Sequence, residues 1–175
     1  MTFKIQTLLL LIAFFGVHDS LLAQAQSDSK ESKTKSHVYI LSSAYYDDDE
    51  FQNKGNAFGL GYDLTWTLKN NWSFGLRVNY RNWSGRDETL VPLEIGPSYT
   101  FSLSDRTSMD TFLGAGPSLI MGNDYAGFFA HLSGGFRLNY EVGSVAMFTG
   151  ASYSKAAAYH PDSFEHIDIM FGIRF

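Results

Sequence analysis

The sequence predicts an all-β chain, an eight-stranded antiparallel up-and-down transmembrane β-barrel. Three observations lead there. From His37 to Phe175, apolar and polar residues alternate with a period of two over stretch after stretch, the signature of strands with two unlike faces. No stretch of useful length carries the 3.6-residue helical period. Turn-forming segments separate the alternating stretches, and eight strands of about ten residues each match a tilted membrane crossing.

The first strand (about 37–46) and the seventh (about 144–154) alternate weakly, and their facing stays open. The second is the clearest: Phe58, Leu60, Tyr62, Leu64, Trp66 and Leu68 oppose Ala57, Gly59, Gly61, Asp63, Thr65 and Thr67. After the turn Lys69-Asn70-Asn71, the third sets Trp72, Phe74, Leu76, Val78 and Tyr80 against Ser73, Gly75, Arg77, Asn79 and Arg81. The fourth sets Val91 to Phe101 against Glu94, Gly96, Ser98 and Thr100; the fifth sets Leu113 to Met121 against Asp110, Phe112, Gly114, Gly116 and Ser118. In the sixth, Phe128, Ala130, Leu132, Phe136, Leu138 and Tyr140 oppose His131, Ser133, Gly135, Arg137 and Asn139. The last has Ile167, Ile169, Phe171, Ile173 and Phe175 against His166, Asp168, Met170, Gly172 and Arg174. Pro97 and Pro117 fall inside strand patterns, where a missing N–H calls for a bulge or a shortened ladder.

The connections alternate in character. Lys69–Asn71, Ser102–Arg106 and Glu141–Gly143 are short; Asp47–Gly55, Ser84–Glu88, Gly122–Gly127 and Lys155–Ser163 form the other end. Short periplasmic turns and longer outer loops are the expected asymmetry, which puts both termini in the periplasm.

Volume decides which face is inside. An eight-stranded barrel leaves an interior only just wide enough for side chains. The apolar face carries Phe, Tyr, Trp and Leu on nearly every strand, too much to fit, whereas the Gly- and Ser-rich polar face suits a tight lumen. Charge agrees. In the six well-phased strands the charged residues fall on the polar face: Arg77, Arg81, Arg137 and Arg174 with Asp63, Glu94, Asp110 and Asp168. Aromatic residues gather at the strand ends, with Trp66, Trp72, Tyr99, Phe101 and Tyr140 at the turn end and Tyr80, Trp83, Tyr125, Tyr153 and Phe164 at the loop end, as girdles at two membrane interfaces.

Composition narrows the function. The chain has 175 residues, a formal net charge of -5 and no cysteine, so the charge argues against a nucleic-acid partner, and no disulfide framework, thiolate metal site or cysteine nucleophile is possible. The mean hydropathy of -0.12 fits a barrel whose two faces cancel in the average. At the N-terminus, Lys4, the apolar run Leu8 to Phe15 and the small-residue site Ala23-Gln24-Ala25 read as a signal peptide, residues 1–25. Residues 26–36 then read as a disordered periplasmic leader, and 37–175 as the barrel.

The final stretch, Phe164 to Phe175, with apolar Ile167, Ile169, Phe171, Ile173 and a terminal Phe175, resembles the signal read by the barrel-assembly machinery. Together with Gly96-Pro97-Ser98, Gly116-Pro117-Ser118 and Gly134-Gly135-Phe136-Arg137, the mature chain resembles the small outer-membrane β-barrel domain family of OmpA/OmpX-type barrels. The resemblance implies the fold and a Gram-negative outer-membrane location; contact with outer-membrane lipids and lipopolysaccharide, insertion by the assembly machinery and a monomeric state are expected with them. It leaves the function open, because that family hosts many.

Three constellations carry possible chemistry. A symmetric hairpin about Asn70 places Asp63 opposite Arg77, and the loop centred near Arg86 places Arg77 beside Glu94, so one arginine can sit between two carboxylates in a buried salt-bridge network. His131 and Ser133 share a face, and such a pair with an acid could activate a serine. Outer-membrane lipid A deacylases carry a His-x-Ser on a strand, but here the following Asn139 and Glu141 are displaced from that family's spacing. His166 and Asp168 share a face without further metal-ligand spacing, so neither a metal nor a cofactor is expected. The resulting reading is a non-enzymatic envelope or surface protein with a plugged lumen, acting through its outer loops. A narrow channel for small solutes and a lipid A-modifying hydrolase are the alternatives.

Overall fold

The structure, a computed structural model, describes residues 34–46, 53–83, 88–122, 126–157 and 164–175. The expected signal peptide and most of the leader lie outside them. Among the described residues every regular element is a strand: β1 (Thr34–Tyr46), β2 (Asn53–Thr67), β3 (Trp72–Trp83), β4 (Glu88–Ser102), β5 (Thr107–Met121), β6 (Ala126–Val142), β7 (Val145–Ala157) and β8 (Phe164–Arg174). Each pairs antiparallel with its sequence neighbours, and β1 pairs with β8 to close the barrel.

Closure extends the strands beyond their alternating patterns. β1 begins at Thr34 rather than His37, because Ser36 exchanges two backbone hydrogen bonds with Phe175, at 2.8 and 3.0 Å. Residues 34–36, read as leader from composition, are therefore barrel wall. At the loop end the same ladder growth leaves only 47–52, 84–87, 122–125 and 158–163 between strands, against 68–71, 103–106 and 143–144 at the turn end. The length asymmetry is smaller than the hydrophobic pattern suggests. The first turn places Asn70 and Asn71 at φ of 56° and 66°, left-handed values that Asn tolerates better than most residues.

The outward face is apolar, with exposed Phe58, Leu60, Phe74, Ile95, Leu113, Phe128, Leu132 and Phe171. A closed wall that turns such residues outward has lipid, not water, as its natural solvent. Closure also resolves the two weak strands. β1 turns His37, Tyr39, Leu41, Ser43 and Tyr45 inward; β7 turns Ala146, Phe148, Ser152, Ser154 and Ala156 inward.

Two expectations need correction and a third is met. Trp83, assigned to the loop-end girdle, is only 4% exposed and packs inside with Tyr45 and Leu90, because it shares the inward parity of Arg77 and Arg81. The outward face is not free of charge: Lys155 and Glu165, paired across β7 and β8, form an ion pair there. Sequence alternation left β7 unphased, so this pair was invisible to it. Of the two outcomes expected at the prolines, the structure has the shortened ladder and not the bulge. The β4–β5 register is the same before and after them, and the ladder simply lacks pairs beside Pro97 and Pro117. At the turn end the ring centroids of Trp72 and Tyr99 lie edge to face at 5.1 Å, and those of Tyr99 and Phe101 at 4.7 Å.

Candidate functional site: the charged lumen

All eight charged residues singled out above point inward, and the structure sorts them into three groups. In the first, the β2–β3 and β3–β4 registers set Asp63 opposite Arg77 and Arg77 opposite Glu94. Arg77 Nε lies 3.2 Å from Asp63 Oδ2, and Nη1 lies 2.9 Å from Glu94 Oε2. Arg137 from β6 joins Arg77 on the same oxygen of Asp63, Oδ2. Tyr39 Oη, 2.8 Å from Asp63 Oδ1, also reaches Asn79 at 2.7 Å. Ser133 donates to Glu94 at 2.8 Å.

The second group is the pair Arg81–Asp168, which reaches across the lumen. Arg81 donates Nε and Nη2 to the two carboxylate oxygens at 3.1 and 2.6 Å, a fork-on-fork geometry. Ser43 and Ser152 donate to the same carboxylate at 2.5 and 3.1 Å. The third group sits at the turn end. Asp110 accepts from Thr100 at 2.7 Å and Asn139 at 2.9 Å, while Arg174 lies 3.8 Å from Asp110 and donates to Glu141 at 3.2 Å. The imidazoles of His131 and His166, 5.7 Å apart, lie between the first two groups.

The lumen is not polar throughout. Tyr45, Ala57, Trp83, Leu90, Ile120 and Ala156 close its loop end, with Phe129 packed against them. Tyr39, Leu41, Phe112, Phe148 and Met170 form a second apolar cluster deeper in. The guanidinium carbons of Arg77 and Arg137 lie 3.9 and 4.8 Å from the centre of the Phe112 ring, so this cluster stacks on the ion pairs as well as filling space. A cavity of about 20 Å³ beside His37, Arg77, Asp110 and Arg137 has room for about one water molecule. Sequence reading missed Tyr39, Ser43 and Ser152, because it could not phase β1 and β7. It also missed Asn79, whose partner is on β1.

No protein-family model matches the chain, and no curated protein matches it. Among solved structures, Neisserial surface protein A (NspA) superposes with a TM-score of 0.67 at 11% identity, over 83% of this chain and 98% of that one. The fold is that of the small eight-stranded outer-membrane barrels. The attachment invasion locus protein Ail of Yersinia pestis, in complex with the heparin analogue sucrose octasulfate, superposes at 0.51 and 16% identity, over 83% of this chain and all of that one. The outer membrane enzyme PagL superposes at 0.53 and 12% identity, over 78% of this chain and 98% of that one. At such identities the likeness is one of fold, and a small outer-membrane barrel can host unrelated functions.

A serine hydrolase needs serine bonded to histidine and histidine oriented by an acid. In this barrel the order is different. Glu94 stands between them, 2.8 Å from His131 Nε2 through one oxygen and accepting from Ser133 through the other. Ser133 also takes a hydrogen bond from Arg77 at 3.3 Å. Its proton is committed to a carboxylate that two other groups already hold, and both residues face the lumen rather than lipid.

One backbone position is needed for this packing. Gly61 lies opposite Tyr39, and a Cβ there would come within 2.1 Å of the Tyr39 ring and 2.5 Å of Asn79 Oδ1. Gly61→Ala is therefore expected to push Tyr39 off Asp63 and lower stability by about 1–3 kcal/mol, the usual cost of overpacking. Urea unfolding followed by tryptophan fluorescence reads this; a midpoint equal to the parent's would show that Tyr39 is not held in place.

Proposed function

We propose that this chain is a non-enzymatic outer-membrane protein of a Gram-negative envelope, with both termini periplasmic and a plugged lumen. It acts through its outer loops and its lipid-facing wall. The observation that supports this most is the filling of the lumen: an apolar cluster at the loop end, two ion-paired groups and a second apolar cluster stacked on them occupy it. A selective pore is usually lined by rings of one sign, whereas each arginine here faces an acid. In this reading the barrel is a monomer seated among outer-membrane lipids and lipopolysaccharide.

Planar-bilayer recording of the refolded protein, joined to mass spectrometry of host lipid A, tests the proposal. No steady current is expected, and the lipid A acylation pattern should be the same in cells expressing the parent or Ser133→Ala. Reproducible single-channel openings would promote the channel reading. An acyl-chain difference that disappears in Ser133→Ala would promote the hydrolase.

Insertion by the barrel-assembly machinery makes a separate prediction. Ile167, Ile169, Phe171, Ile173 and Phe175 form an outward apolar row on the closing strand. Phe175→Ala keeps both backbone hydrogen bonds to Ser36 and removes only the last side chain of that row, while deletion of Phe175 removes the bonds as well. Outer-membrane levels should fall in the order parent, Phe175→Ala, deletion, as read by immunoblot of membrane fractions. Equal levels in all three would exclude a terminal signal.

A further inference from the structure

The outward wall from β4 to β7 is not smooth. It carries a groove of about 540 Å³. Ile95, Ala115, Leu132 and Lys155 lie side by side along one cross-strand row; Leu113, Gly134 and Tyr153 lie along the next. The small residues Ala115 and Gly134 leave a trough between Leu113 and Leu132, which both project outward. Lys155, near the loop end of β7, and Tyr153 close one end of the trough; the rest of the lining is apolar apart from Ser133, whose hydroxyl is turned to Glu94 in the lumen. Charge on a lipid-facing wall is tolerated mainly near the membrane interface, where tyrosine also concentrates, so these two residues mark where headgroups begin.

We propose that this groove holds one acyl chain of an outer-leaflet lipid A molecule, with a lipid A phosphate against the Lys155 ammonium. The assignment rests on the reading that the loops face outward, since that orientation places Lys155 in the glycolipid leaflet. The chemistry matches at both ends. A saturated chain fills an apolar trough, and a phosphate offers several charged oxygens to a lysine point charge. Glu165, which holds Lys155 across the strand pair, is the competing anion. It keeps the ammonium at the wall when no lipid is present and weakens the phosphate contact when one is.

Native mass spectrometry of the folded barrel in detergent tests this, with diphosphorylated lipid A, dephosphorylated lipid A and phosphatidylglycerol added in turn. The parent should prefer the diphosphorylated form by about tenfold, and Lys155→Gln should erase that preference. Glu165→Gln should strengthen binding of the diphosphorylated form. Ala115→Phe, which fills the trough, should weaken both lipid A forms by about tenfold, while Ile40→Phe on the opposite outward wall should change nothing. A preference that survives Lys155→Gln, a trough variant that binds like the parent, or phosphatidylglycerol retained as well as lipid A would each overturn the assignment. Fractionation of the same variants separates the two claims. A barrel that reaches the outer membrane yet shows no lipid A preference defeats the groove alone, while a barrel found outside that membrane defeats the location.

Discussion

Arg81→Ala is expected to destabilise the barrel by about 3–5 kcal/mol, the usual cost of leaving one member of a buried ion pair alone. Both partners are almost wholly removed from solvent. The carboxylate of Asp168 has its two charge-assisted bonds from Arg81, and the serines at 43 and 152 supply dipoles but no charge. Once the guanidinium is gone, Asp168 must stay ionised without a full counter-charge or take up a proton. The conservative control is to replace both partners by apolar residues of similar volume, Arg81→Met with Asp168→Leu, which should recover most of the loss. Urea midpoints for the parent, Arg81→Met, Asp168→Leu and the double give a complete thermodynamic cycle. A single-variant loss below about 1 kcal/mol, within the range of exposed pairs, would mean that water reaches the pair and that the lumen is not plugged at this level.

Arg77→Ala should cost about 3 kcal/mol, the lower end of the same range. Asp63 keeps Arg137 and Tyr39, and Glu94 keeps Ser133 and His131. The larger effect is on permeability. Arg77 spans two carboxylates and stacks on Phe112 beside the 20 Å³ cavity, so its removal joins that cavity to a new void lined by acids. Bilayer recordings of Arg77→Ala should show cation-favouring leak that the parent lacks. Arg77→Lys keeps the charge but not the planar fork that reaches both acids, so it should fall between the two in stability and in leak. Adding Glu94→Gln to Arg77→Ala should cost less than the sum of the single losses, because both remove the same contact. A tight, stable Arg77→Ala barrel would mean that the two apolar clusters alone hold the lumen shut.

The mutations divide as the sequence and the fold divide. The period-two pattern of strands β2 to β6 and β8 was enough to predict the fold class and to sort the residues of those strands by face. That pattern is local: adjacent side chains on a strand point opposite ways whatever the partner strand does. The juxtaposition of Asp63, Arg77 and Glu94 could be read as well, because hairpin symmetry about Asn70 and the loop near Arg86 sets the register between neighbouring strands.

What lies across the barrel could not be read. Arg81 meets Asp168 from a strand far along the chain, and Arg137 meets Asp63 from another; such contacts depend on closure and on the stagger between non-adjacent strands. The phase of β1 and β7 was decided the same way. Their own alternation is weak, so pairing with β8, β2 and β6 assigned Tyr39, Ser43 and Phe148 to the lumen and Lys155 to the wall. Trp83 is the opposite case: its inward turn follows the local parity of β3, which overrides the preference of tryptophan for an interface. The sequence by itself determined strands, faces and near-neighbour ion pairs; the tertiary structure alone decided which charges neutralise which across the lumen, because a closed sheet fixes distances that no local pattern encodes.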